Sequence, residues 1–322
     1  MAAPNRYNLG RVYIYNLAST VVTAMADDPY WSVSYSDIVP KPFSSINRGS
    51  MIFKNKMDPS LYFMLNVNSF NNHFIQPGFY ESEAGTIVAD IVRDAQYPGV
   101  YASTPITASN VSNISYFQLT VLTTNNFIYL NGEGDGTADQ YPLRLYAGRL
   151  KPYESEDPLI ANDFVGLFTH FPVGNNSSDY TAYANGSKNV GRGFVRRSRN
   201  GTKNHIYNFT TNSQLVSPGV GGRFFISPFY IYDNAEGVRG EFFDMYTVCF
   251  RDGTAYPDGS VLSVGNDKYY IFHVVDQIPP SNFQTSGAQS NGATTQGRWY
   301  FFDTAVLHTS SDKPQRAILV KI

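Results

Sequence analysis

Charge is what this chain has least of. Lys, Arg, Asp and Glu make up 16% of its 322 residues, against about a quarter in an average globular domain. The net charge of −2 argues against a surface built to coat nucleic acid. Cysteine is nearly missing as well. Cys249 is the single one, so no intrachain disulfide framework can form. No apolar run approaches the roughly 18 residues of a membrane-spanning helix. Met1–Asn8 (MAAPNRYN) lacks the charged start and apolar core of a secretory signal. The expectation is cytoplasmic synthesis without secretion and no membrane partner. The Asn-x-Ser/Thr sequons at Asn110, Asn113, Asn175, Asn176, Asn185, Asn200 and Asn208 are then incidental to an Asn-, Ser- and Thr-rich chain.

Catalytic and metal signatures are also scarce. His73, His170, His205, His273 and His308 stand alone, with no His-x-His or HExxH spacing. There is no G-x-S-x-G elbow, and Cys249 lies between Val248 and Phe250, in an apolar strand pattern where a thiol is ordinary packing. Asn131–Gly136 (NGEGDG) starts like a calcium loop, but Pro142 stands where the bidentate Glu belongs. It reads instead as a polar loop between strands. Gly219–Arg223 (GVGGR) precedes a strand, not a helix N-terminus, so it is a turn and not a phosphate cradle. Asp27/Asp28, Glu81/Glu83 and Glu154/Glu156/Asp157 read as turn acids. No cofactor and no catalytic residue is expected.

Aromatics and turn formers are plentiful: 24 Tyr, 23 Phe, 27 Asn and 26 Gly. This is the composition of strands joined by polar turns. Trp31, Val33 and Tyr35 alternate with Ser32 and Ser34, the period of a half-buried strand. Further strand runs lie at Arg11–Tyr15, Met51–Phe53, Leu61–Leu65, Thr86–Val92, Ile114–Leu122, Phe127–Leu130 and Leu143–Leu150. Others follow at Arg223–Tyr232, Phe242–Phe250, Lys268–Val275, Arg298–Phe302 and Arg316–Ile322. Leu17–Ala26 reads as strand or irregular, because Thr20, Val21 and Val22 are β-branched. Ile160–His170 (IANDFVGLFTH) reads as a helical turn or two, capped by Asn162 or Asp163. The fold class expected is all-β: antiparallel sandwich or barrel domains with long polar loops or arms and little helix. A Pro- and acid-rich connection at Lys151–Pro158 suggests an N-terminal β-domain, 1–150, and a C-terminal one, 151–322.

One segment breaks the pattern of low charge. No acid occurs between Asp179 and Asp233, and that interval holds Lys188, Arg192, Arg196, Arg197, Arg199, Lys203 and Arg223. Arginine suits bidentate contact with carboxylate or phosphate. Asn175–Lys203 shows no strand pattern, and neither does Ser281–Gln296; both read as arms that order on assembly. The basic arm, at about 186–205, is expected to dock on an acidic patch of a neighbouring subunit through Arg192, Arg196, Arg197, Arg199 and Lys203. A solvated loop and a phosphate contact are the alternatives. Only Phe194 offers an aromatic face for a nucleic-acid base. Arg239, between Gly237 and Gly240, is expected either to anchor a turn or to sit exposed on a hairpin.

The C-terminal half carries an ordered series of cues: Glu236–Gly240 (EGVRG), Phe242–Met245, Thr254–Gly259 (TAYPDG) and Lys268–Phe272 (KYYIF). Tyr146–Lys151 (YAGRLK) and Asn162–Phe168 add to it. This layout resembles β-rich structural proteins of tailed bacteriophage virions, of the neck, tail and baseplate type. The resemblance implies a non-enzymatic virion component that forms a ring or shell and docks to other virion proteins. The alternative expectation is a receptor- or carbohydrate-binding module of a fibre or baseplate, with Trp31 and Trp299 stacking on a glycan. A depolymerase is the third.

Overall fold

The computed structural model describes residues 3–13, 16–37, 48–68, 74–78, 100–101, 116–134, 143–152, 163–167, 192–201, 203–211, 226–233, 236–250, 256–277 and 315–322. Along the chain these form β1 (Asn5–Tyr13), α1 (Leu17–Ala24), β2 (Trp31–Asp37), β3 (Arg48–Asn55), β4 (Tyr62–Asn68), β5 (Phe74–Gly78) and β6 (Val100–Tyr101). Next come β7 (Tyr116–Thr123), β8 (Phe127–Gly134), β9 (Leu143–Pro152), β10 (Asp163–Leu167), β11 (Arg192–Arg197) and β12 (Lys203–Thr211). The last are β13 (Ser227–Asp233), β14 (Gly237–Phe250), β15 (Val261–Val264), β16 (Asp267–Gln277) and β17 (Gln315–Lys321). The chain is all-β, with antiparallel pairing throughout the two described sheets.

The smaller sheet has the order β2-β3-β4-β5-β6. The larger has twelve strands, in the order β1-β7-β8-β9-β10-β11-β12-β13-β14-β17-β16-β15. It also folds back on itself: β9 pairs with β14 through Leu150–Phe242, Lys151–Glu241 and Pro152–Gly240. That contact closes β9 to β14 into a ring of six hydrogen-bonded strands. Gly240 makes the closure possible, because a Cβ there would strike the backbone carbonyl of Lys151. Just beyond it β14 leaves β9 and takes up β17, from Met245 onward. Asp244 at this fork has φ of +51°, a left-handed conformation rare for a non-glycine residue in a strand. The ladder therefore passes across the division expected between 1–150 and 151–322.

Two of the three buried apolar clusters explain the apolar runs of β8 and β9. Antiparallel strands usually show one face to water and alternate accordingly. In β8 and β9 successive residues are buried on both faces. Ile128, Leu130, Leu145 and Ala147 pack with Met51, Phe53, Phe63 and Leu65 of the smaller sheet. Phe127, Tyr129, Tyr146 and Leu150 pack on the other side with Phe164, Phe229, Phe242 and Phe272. The rings of Tyr146 and Phe242 stack with centroids 4.1 Å apart, next to the ring-closing contact.

Three sequence expectations are corrected here. Leu17–Ala24 is a helix, because Leu17, Ala18 and Val21 fall on one buried face; packing overrides the weak β preference of Thr20–Val22. Asp163–Leu167 is a strand, β10, laid between β9 and β11, and not a helical turn. Arg192–Arg197 and Lys203–Thr211 are strands of the large sheet, so the described part of the basic segment is a hairpin and not an arm. Asn175–Gly191, Thr86–Val92, Ser281–Gln296 and Arg298–Phe302 lie outside the described residues, as does the greater part of Lys151–Pro158.

Candidate functional site

The basic segment is placed by a tight turn. Asn200–Gly201 is a strong hairpin dipeptide, and Gly201 has φ of +82° while its N–H donates to the Ser198 carbonyl at 2.9 Å. The flanking strands pair from Arg192–Asn208 to Arg197–Lys203. Strand alternation then sorts the side chains. Val195 is buried in the core inside the ring. Gly193 leaves room for the Phe164 ring, which a Cβ would strike. Arg196 leaves on the opposite face, toward the smaller sheet.

There Arg196 meets a second layer of structure. Its Nη1 donates to the Ser60 carbonyl at 2.5 Å and its Nη2 to the Tyr62 carbonyl at 2.7 Å. The guanidinium lies 4.5 Å from the Tyr62 ring centroid, a cation–π distance. On its own sheet, Nη1 is 3.3 Å from Asp163 Oδ2. Asp163 is fully buried at the start of β10, and its Oδ1 is 3.7 Å from Arg149 Nε of β9. Arg149 in turn pairs through Nη2 with Asp58 Oδ2, in the turn between β3 and β4. Asp58 Oδ1 accepts from the Ser60 N–H at 3.0 Å and its hydroxyl at 2.6 Å.

Acid and base thus alternate across the two sheets: Asp58, Arg149, Asp163, Arg196. Burial raises the Asp163 carboxyl to about 7, against the pull of Arg196 and Arg149. Burial also lowers the Arg196 guanidinium. Asp58 is held below the usual carboxylate range, first by the Ser60 hydroxyl and then by Arg149. Chemically this is a clamp. Two guanidiniums on the large sheet grip a turn of the small sheet, and one buried carboxyl lies between them. A fully covered carboxyl has no path to a substrate.

The other expected residues are placed as follows. Arg199 lies in the hairpin turn; its backbone N–H donates to Glu236 Oε2 at 3.2 Å and its Nη1 to the Glu236 carbonyl at 2.7 Å. Arg239 on β14 is fully buried, with Nη1 3.9 Å from the same Glu236 carboxylate. It is therefore not on an exposed hairpin position. Arg197 is half-buried at the end of β11. Arg192 and Lys203 are placed by backbone register alone, opposite Asn208 and Arg197. Arg196, Arg199 and Arg239 are thus engaged within the chain, and the acids they meet are Asp163 and Glu236. Glu236 stands three residues before Arg239, but Asp163, Asp58 and Arg149 are far from Arg196 in sequence and no local spacing announces them.

The remaining candidates follow. Trp31 is buried in the first core, edge-on to Phe63 with centroids 6.0 Å apart, and its indole N–H donates to the Thr124 carbonyl at 2.7 Å. It has no face to offer a sugar; Trp299 lies outside the described residues. Asp28 does line a turn, accepting from the N–H groups of Tyr30 and Trp31 and the hydroxyls of Tyr7 and Thr123. Asn131–Gly134 is strand β8 and not a loop. Asn131 Oδ1 accepts from the Tyr129 hydroxyl and Arg144 Nε. Among the described residues no cluster of His, Cys, Asp and Glu could hold a metal ion, and no helix is long and apolar enough to cross a membrane. No protein-family model matches the chain, and no curated protein matches its sequence.

Proposed function

We propose that this chain is a non-enzymatic structural subunit of a tailed-phage-type virion, acting by self-assembly and by docking to other virion proteins. The observation that carries the reading is where the large apolar side chains come to the surface. Met57 is 72% exposed in the β3–β4 turn and Val238 47% at the start of β14; Val261 and Val264 are exposed on β15. On a chain with so little charge, two exposed valines on one short end strand fit a surface covered by a neighbour; Met57 and Val238 stand singly, as surface apolar residues ordinarily do. The clamp supports the same reading, because it makes the two sheets a stiff block instead of a substrate cleft. The virion location and the ring or shell arrangement follow from the family resemblance set out above.

Negative-stain electron microscopy of the purified chain tests the proposal. Closed rings or shell fragments of uniform size are the expected result. Dispersed single particles at every concentration, in the presence or absence of phage structural proteins, would count against it.

A further inference from the structure

Among the described residues the twelve-stranded sheet ends at β1 and at β15, and the two edges differ. β1 carries Arg6 and Arg11 and a register shift between Asn8 and Gly10. Charge and bulges are the usual means of keeping an edge strand from pairing with another chain. β15 has neither. From Ser260 to Asn266 the sequence is SVLSVGN, without charge or proline, and its pairing with β16 is regular. Of the four exposed large apolar side chains among the described residues, Val261 at 50% and Val264 at 36% both stand on this one short strand.

Its backbone is also turned outward. Val264 pairs with Asp267 across the two-residue turn Gly265–Asn266, with Gly265 at φ +61°. The Ile271 N–H donates to the Ser260 carbonyl at 3.0 Å. In an antiparallel ladder bonded at Ser260 and Val264, the N–H and C=O of Val261 and Ser263 face away from β16. The strand is held in place before any partner arrives. Leu262 is buried in a core with Tyr269, Ile271 and Leu319. Arg6 reaches over from β1, donating to the Gly259 carbonyl at 2.9 Å with its guanidinium 4.6 Å from the Tyr270 ring centroid. A braced edge loses little conformational entropy on pairing.

We infer that β15 is the self-association edge of this subunit and pairs antiparallel with β15 of a second copy. The occupant follows from the strand itself. It needs an equally uncharged, open-edged strand, and an isologous two-fold brings two such strands together. With Leu262 on the axis, Val261 of each copy bonds Ser263 of the other, and no like charges meet. The sheets of two copies become one continuous sheet, the β-augmentation mode of recognition. The inference rests on the assembly reading and names its contact.

Sedimentation velocity over a wide concentration range, on the full chain and on Val261→Lys/Val264→Lys, tests it. The wild type is expected to sediment as an even multimer. The double variant is expected to have at least a twofold lower mass, with its circular dichroism and melting temperature unchanged. If the double variant unfolds, Ser263→Pro serves instead; it removes only an outward N–H and is expected to lower the mass likewise. A multimer indifferent to these changes overturns β15 pairing and leaves the assembly reading standing. A wild type that stays monomeric throughout overturns both.

Discussion

Asp163 sits between Arg149 and Arg196 with no exposed surface, and that position makes Arg196 hard to replace. Its guanidinium joins a carboxylate on β10 to two carbonyls on the β3–β4 hairpin. Above about pH 7, where the buried carboxyl is ionised, Arg196→Ala leaves it one partner short, a change that costs about 3 kcal/mol. A lower urea midpoint at unchanged slope would show it. Arg196→Lys is expected to rescue little, since one ammonium cannot span both carbonyls and the carboxylate. The carboxyl also leaves a mark on the pH dependence of stability. Its native value of about 7 lies above the ordinary value of an unfolded aspartate. Between about 4 and 7 the native chain holds a proton the unfolded chain has lost. This contribution is full below about 4 and is lost as pH rises through about 7. Asp163→Asn is expected to flatten that part of a melting-temperature-against-pH profile; an identical slope in variant and wild type would refute the assignment.

Among the elements, the ring-closing contact between β9 and β14 depends on a missing side chain. Gly240→Val pushes a Cβ against the Lys151 carbonyl. The expected loss is about 1–3 kcal/mol, typical of overpacking. Hydrogen exchange should locate it as faster opening at Glu241 and Phe242; protection unchanged there would contradict the closure. The elements also show what the sequence could reveal. Strands with one face in water, such as Trp31–Tyr35, were legible from alternation, and β8 from its uninterrupted apolar start, Phe127–Leu130. The helix Leu17–Ala24 was not, because its β-branched residues speak for strand and only packing decides. The β11–β12 hairpin was hidden by its arginines, although Asn200–Gly201 marks the turn. Arg196 and Arg199 stood out from the local charge pattern. Their partners Asp163 and Glu236 lie 33 and 37 positions away in sequence, and no short-range pattern links them.

The whole molecule joins a stiff, sparsely charged β-scaffold to an edge strand that is uncharged and, among the described residues, unpaired on its outer side. The basic stretch that looks like an external arm is partly turned inward, where Arg196 and Arg199 bind their own chain. Assembly through β15 is then a matter of backbone hydrogen bonds and apolar contact, which salt does not screen. The deciding measurement is the absolute mass of the purified chain by light scattering after size exclusion, at low and at high salt. A multimer of one size at both is the expected result. A monomer at both would contradict the assembly reading. A multimer that falls apart as salt rises would contradict the uncharged edge and return the interface to the arginines.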